Sequence, residues 1–130
     1  MATTTGQGTR AEDAPGLTTH MLDTGAGRPA AGVRIDLSRD LGAGWEPVCS
    51  VVTDADGRSP GPLLDAASIA VGRYELVFHL AEYFRRTGAV LADPAFLEVA
   101  VIRFGIADPA AHYHVPLLAS PFAYTTYRGS

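Results

Sequence analysis

Histidines are the side chains of this sequence best suited to proton transfer near neutral pH, because imidazole titrates in that range. Two of the four, His112 and His114, alternate along HYHVPLLAS, and His20 lies in LTTHMLD. Two imidazoles on one strand face are able to share a metal ion, although a zinc site normally has a third ligand. The residues alone therefore leave a metal site and a metal-free histidine site open.

Other polar and aromatic candidates have structural interpretations from pattern alone. His79 lies among large apolar residues at the start of a helical turn, which favours a structural role. Arg58 follows DADG and is typical of a solvated turn residue. Tyr74 and Tyr83 are predicted to lie in the core. These residues do not by themselves define a site.

The elements that position the histidines are predicted to be short strands. Val33, Ile35 and Leu37 alternate with polar residues, which is the period of a half-buried strand. Turn clusters rich in glycine, proline and aspartate separate the apolar segments. This pattern predicts an all-β protein, an antiparallel β-sandwich with one short helix. The strands are predicted over 17–23, 33–38, 48–53, 73–80, 97–104, 112–119 and 123–128, and the helix over 81–88.

Strand parity predicts which side chains share a face, because successive residues of a strand point to opposite sides. His20 lies on the same face as Thr18, two residues before it. By the same rule, His112 and His114 share a face of the later strand. Tyr127 belongs to the set that alternates along AYTTYR. One face of each of these strands thus combines titratable and apolar groups.

Composition limits the partners and the domain count. A chain of 130 residues with 47% hydrophobic residues is long enough for one domain, predicted over 17–130 after a flexible N-terminal tail, 1–16. The net charge is −4 and the basic residues are scattered, which argues against nucleic acid. No apolar run suits a membrane span or a signal peptide, so a cytoplasmic location is expected. The lone Cys49 excludes an internal disulfide and is predicted to be a small buried hydrophobe.

Three segments together carry a family resemblance: LTTHMLDTGAGRPAAGVRIDL, TDADGR and HYHVPLLASPFAYTTYRGS. They resemble the transthyretin-related family and, within it, the 5-hydroxyisourate hydrolase branch. The resemblance covers residues 17–130 in the same order. The hormone-carrier branch lacks the histidines that match His20 and His114 and lacks the terminal YRGS, so these features favour the enzyme branch.

The resemblance implies a transthyretin-like sandwich of two four-stranded sheets and a homotetramer, with sites in a channel where two dimers meet. It implies that the first, seventh and eighth strands lie in the channel-facing sheet. Its activity is hydrolysis of 5-hydroxyisourate to 2-oxo-4-hydroxy-4-carboxy-5-ureidoimidazoline, with no metal or organic cofactor. The alternative is a transthyretin-like channel that binds a small ligand without catalysis.

The resemblance also assigns site residues. Its catalytic set maps onto His20, Arg58 and His114, while His112 carries a weaker expectation. The roles of the two catalytic histidines stay open at this point. The substrate-binding set maps onto the terminal tetrapeptide, Tyr127, Arg128, Gly129 and Ser130.

Overall fold

Two four-stranded sheets, built from the alternating segments of the sequence, form a sandwich in the computed structural model, which describes residues 14–129. One sheet has the strand order β2-β1-β7-β8 and the other β4-β3-β5-β6. The predicted fold class is confirmed. The elements are β1 (Gly16–Asp23), β2 (Arg28–Pro29), β3 (Arg34–Asp40), β4 (Trp45–Val52), β5 (Gly72–Phe78), α1 (Leu80–Arg86), β6 (Ala100–Ile106), β7 (His112–Ser120) and β8 (Ala123–Thr126).

Strands β1 and β7 form the centre of the first sheet, and they run parallel, with Leu17 opposite Tyr113 and Met21 opposite Leu117. This pairing differs from the predicted antiparallel arrangement. Parallel neighbours need a long connection, and most of the chain lies between these two strands. The other pairings in both sheets are antiparallel. The parallel register places the histidine-bearing faces of β1 and β7 side by side.

The core lies between the two sheets and follows the alternation of the strands. Leu17 and Met21 of β1 and Ile35 and Leu37 of β3 are almost completely buried. Their burial removes apolar surface from water, which is the main favourable contribution to folding. The opposite face of β1 is left to carry Thr18 and His20, as parity predicts.

Helix α1 packs one face against the sandwich. Its buried residues are Leu80, Ala81, Tyr83 and Phe84, the spacing of an amphipathic helix. The Tyr83 hydroxyl donates to the buried Asp23 carboxylate at 2.9 Å, and burial, followed by that carboxylate, raises the pKa of Tyr83 to about 12. This bond ties the helix to the C-terminal end of β1.

Several local predictions differ from the structure. Strand β2 forms where the sequence predicted only a turn, because two residues pair with the end of β1. Strand β6 begins at Ala100, three residues later than predicted. Cys49 is half-buried instead of buried, since β4 is an exposed edge strand. In the part of the chain that the structure describes, no helix is long and apolar enough to cross a membrane.

The N-terminal boundary also differs by one residue. The predicted tail, 1–16, falls mostly on residues outside the described range, and its flexibility stays a prediction. Gly16 already belongs to β1, and the carbonyl oxygen of Ala14 accepts a hydrogen bond from His112 Nδ1 at 2.9 Å. The folded structure therefore includes the last residues assigned to the tail.

Candidate active site

A cavity of about 770 Å³ lies on the face of β1 and β7 that points away from the core. This volume is within the usual range for sites that bind small molecules. His20, Arg58 and His114, the three predicted catalytic residues, all line it. Tyr127 and Gly129 of the predicted substrate-binding set line it as well. Tertiary structure thus brings together residues from three distant segments of the chain.

His20 and His114 form a directly bonded pair at the centre of the cavity. Nδ1 of His20 and Nε2 of His114 are 2.7 Å apart, and the two rings stack with centroids 4.8 Å apart. The parallel register explains the contact, because His114 lies opposite Thr18, the neighbour of His20 on the same face of β1. The pair shares a hydrogen bond, so the two histidines act as one unit.

Both imidazoles are kept neutral near pH 7. Burial, followed by the nearby His20, Arg58 and His112, lowers the pKa of His114 to about 4. Burial and the Arg58 guanidinium lower the pKa of His20 as well. A neutral imidazole has one nitrogen lone pair available to accept a proton, which is what a general base requires.

A tight loop, residues 54–58, places Arg58 beside the histidine pair. The Asp54 carboxylate accepts hydrogen bonds from the backbone N–H groups of Asp56 and Arg58, and an isolated β-bridge joins Arg58 to His20. Gly57 has φ +74, and a Cβ there would lie 2.4 Å from the Met21 carbonyl oxygen. The DADG pattern therefore does more than make a solvated turn, since it holds the chain closely against β1.

The C-terminal segment closes against His114. The Gly129 backbone N–H donates to the His114 carbonyl oxygen at 2.7 Å. A Cβ at Gly129 would lie 2.7 Å from Cδ2 of the His114 ring, so this position accepts only glycine without displacement. The approach holds the imidazole from the side opposite β1.

The other residues of the predicted substrate-binding tetrapeptide differ in whether they line the cavity. Tyr127 lines the cavity with about half of its surface exposed. Arg128 does not line it: its guanidinium lies 4.2 Å from the centroid of the Tyr113 ring and donates to the His112 carbonyl oxygen at 3.3 Å. In the described part of the chain Arg128 thus supports the segment instead of facing the cavity. Ser130 lies outside the described residues.

A second set of hydrogen bonds continues from His114 into the sheet. Thr18 Oγ1 lies 2.8 Å from Nδ1 of His114 and 3.0 Å from Nε2 of His112. His112 in turn reaches the Ala14 carbonyl oxygen through Nδ1. Parity placed Thr18 on the same face as His20, but no sequence pattern selects Thr18 or Ala14 as site residues.

These contacts bear on the metal interpretation of the HxH pair. One ring nitrogen of each histidine of HYH lies within hydrogen-bond distance of the Thr18 hydroxyl, which occupies the point that they share. Among residues 14–129, no three side chains of His, Cys, Asp or Glu are grouped so that they could hold a metal ion. The remaining histidine, His79, precedes α1, and its Nε2 bonds the carboxylate of Asp36 in β3 at 2.7 Å. That position agrees with a structural role.

The strand order, helix α1 and the histidine-lined cavity define a transthyretin-like β-sandwich with a polar site on one sheet. The chain belongs to the HIUase/Transthyretin family, whose sequence profile matches residues 17–129.

Similar proteins come from both branches of this family. The 5-hydroxyisourate hydrolase 2 of Rhizobium meliloti is 58% identical over 114 residues, which cover 88% of this chain and 95% of that protein. The crystal structure of an (S)-allantoin synthase matches with a TM-score of 0.83 and 44% identity, over 93% of this chain and 46% of that chain. This chain therefore spans about half the length of that enzyme. Sea bream transthyretin in complex with thyroxine matches with a TM-score of 0.77 and 33% identity, over 87% and 93% of the two chains.

Proposed function

We propose that this protein hydrolyses 5-hydroxyisourate to 2-oxo-4-hydroxy-4-carboxy-5-ureidoimidazoline. One observation carries the proposal: two neutral imidazoles, hydrogen-bonded at 2.7 Å, lie beside an arginine in a cavity sized for a small molecule. The similarity to the Rhizobium meliloti hydrolase supports the choice of substrate. The reaction opens a cyclic amide with water.

His20 offers the nitrogen that accepts the proton of the attacking water. Both ring nitrogens of His114 have hydrogen-bond partners, Thr18 and His20. His20 uses Nδ1 in that pair, which leaves Nε2 to face the cavity. Water attacks the carbonyl carbon while its proton moves to His20 Nε2, and the carbonyl oxygen becomes an oxyanion. His114 orients His20 and stabilises the imidazolium that forms.

The arginine and the C-terminal segment supply the remaining functions. The planar guanidinium of Arg58 donates hydrogen bonds to the oxyanion, where charge develops in the transition state. When the carbon–nitrogen bond breaks, the proton held on His20 is returned to the leaving nitrogen. Tyr127 and Gly129 contact the substrate at the cavity wall. Arg128 supports this segment through Tyr113, and Ser130 completes the substrate-binding set.

The test follows the ultraviolet decay of 5-hydroxyisourate prepared fresh from urate with urate oxidase. The wild type is expected to accelerate the decay, and His20→Asn and His114→Asn are each expected to lose roughly 10²- to 10⁴-fold of that turnover. His79→Asn is the matched control, because His79 precedes α1 and does not line the cavity, and it is expected to retain activity. No acceleration by a folded wild-type protein would refute the proposal.

The second candidate function is ligand binding without catalysis, favoured by the match to transthyretin with bound thyroxine. Polar and ionisable groups line the cavity, among them His20, Arg58, His114 and Tyr127, and such groups are costly to bury beside an apolar ligand. Calorimetric titration with thyroxine tests this candidate. Tight binding together with no hydrolysis would replace the enzyme assignment.

We also propose that the protein assembles as a homotetramer with this cavity at the interface between dimers. Strands β6 and β8 are sheet edges, whose unpaired backbone groups favour addition of a further strand. Val101 of β6 and Phe122 beside β8 are exposed apolar residues at these edges. Sedimentation equilibrium tests the assembly, and a monomer at micromolar concentration would contradict it.

A further inference from the structure

We propose that the Ala14 carbonyl, acting through His112 and Thr18, fixes the ring protons of His114 and His20 so that Nε2 of His20 faces the cavity without a proton. His112 and Thr18 also line the cavity, but in this role they are positioning residues that act through His114 and His20. The base role of His20 rests on the proposed function, whereas the proton positions follow from the hydrogen bonds when the rings of His112, His114 and His20 are all neutral. Four consecutive bonds, between 2.7 and 3.0 Å, make up the chain from Ala14 to His20.

The first two bonds set the direction of the chain. A carbonyl oxygen only accepts hydrogen bonds, so Nδ1 of His112 must carry the proton that it donates to Ala14. In the neutral ring the other nitrogen, Nε2, is then an acceptor. Its partner is the Thr18 hydroxyl at 3.0 Å, which has a single proton and must donate it to His112.

The next two bonds follow from that direction. Having donated its proton, Thr18 Oγ1 accepts from Nδ1–H of His114 at 2.8 Å. A neutral His114 then has an unprotonated Nε2, which accepts from Nδ1–H of His20 at 2.7 Å. The single remaining nitrogen, Nε2 of His20, is left with its lone pair. The lowered pKa values of His114 and His20 agree with neutral rings.

The direction of the chain decides whether His20 works as a base. In the opposite tautomer, Nε2 of His20 would carry a hydrogen toward the cavity and would be unable to accept a proton from water. Serine hydrolases solve the same problem with a buried carboxylate that holds the catalytic imidazole in one tautomer. Here the backbone carbonyl of Ala14, acting through His112 and Thr18, has that role.

The decisive comparison is Thr18→Val with Thr18→Ser. Valine has nearly the shape of threonine but no hydroxyl, so it breaks the chain at the second and third bonds. Serine retains the hydroxyl and serves as the matched control. Nitrogen-15 spectra of labelled histidine report which ring nitrogen of each residue is protonated. Turnover of 5-hydroxyisourate provides the second readout.

The expected result is specific to a proton-positioning role. In the wild type and Thr18→Ser, His20 is expected to be protonated at Nδ1 only, and Thr18→Val is expected to give a mixture of tautomers. Turnover of Thr18→Val is expected to fall roughly 10- to 100-fold, the usual effect of removing a group that orients a functional histidine, with KM little changed. Unchanged histidine spectra in folded Thr18→Val would overturn the inference, and so would an equal loss of turnover in the serine variant.

A double-mutant cycle separates one chain from two independent contacts. His112→Phe keeps the ring but removes both nitrogens, so it breaks the same chain on the far side of Thr18. If the chain acts as a unit, the double variant with Thr18→Val loses no more turnover than the more impaired of the two single variants. Multiplying losses would overturn the inference. A wild type without hydrolase activity would defeat the proposed function instead, because the nitrogen spectra still decide where the protons lie.

Discussion

Acidification is expected to destabilise this protein through His114 in particular. The pKa of His114 falls from 6.5 to about 4 on folding, chiefly because the ring is buried. Between these two pH values the His114 ring binds a proton in the unfolded chain but not in the native state. The free energy of unfolding therefore falls as the pH falls from 6.5 to about 4. The effect is absent above pH 6.5. At about 1.4 kcal/mol per pKa unit, the full shift corresponds to about 3 kcal/mol of lost stability near pH 4.

The assay is urea unfolding from pH 7 to pH 4 at one fixed protein concentration. Other groups titrate in this range, so the informative quantity is the difference between the wild type and His114→Asn. The variant lacks the ring, and its free energy of unfolding is expected to decline by about 3 kcal/mol less over the window. Parallel pH curves for the wild type and His114→Asn would refute the reasoning.

Three further substitutions test the site and its supports. Gly129→Ala is expected to displace the His114 imidazole and to lower turnover, because the new Cβ would lie 2.7 Å from that ring. The control is Gly44→Ala, which has open space around it and is expected to leave turnover unchanged. Arg58→Met is expected to raise the pKa of His20, because the Arg58 guanidinium lowers it. The acid limb of the pH-rate profile then moves to higher pH, and an unchanged limb would contradict this prediction. Tyr83→Phe is expected to cost about 1–3 kcal/mol of stability, measured by urea unfolding, since a buried carboxylate loses its donor.

Local pattern was sufficient for most of the strands and for the side of each strand on which a residue lies. Alternation in β1 placed Thr18 and His20 on one face, and the structure agrees. Met21, on the opposite face of the same strand, is fully buried in the core. The signal is strong in such segments because a strand with one buried face must alternate.

The local sequence pattern could not predict the position of residues that depend on long-range pairing. Strand β2 has only two residues and no periodic signal, so its pairing with β1 appears only in the folded chain. Pattern alone treated Arg58 as a solvated turn residue, and only its bridge to His20 places it in the cavity. The family resemblance, not the pattern, selected that residue.

The sequence by itself determined the sandwich, the chemical types available and the family. Tertiary structure decided how the groups interact. The parallel register of β1 and β7, between strands about 90 residues apart in the chain, brings His20 within 2.7 Å of His114. It also places Thr18 within hydrogen-bond distance of His112, which in turn bonds the Ala14 carbonyl oxygen. Hydrogen-bond direction and pKa depend on distances of a few ångströms and on burial, and neither is a property of a residue's position in the sequence.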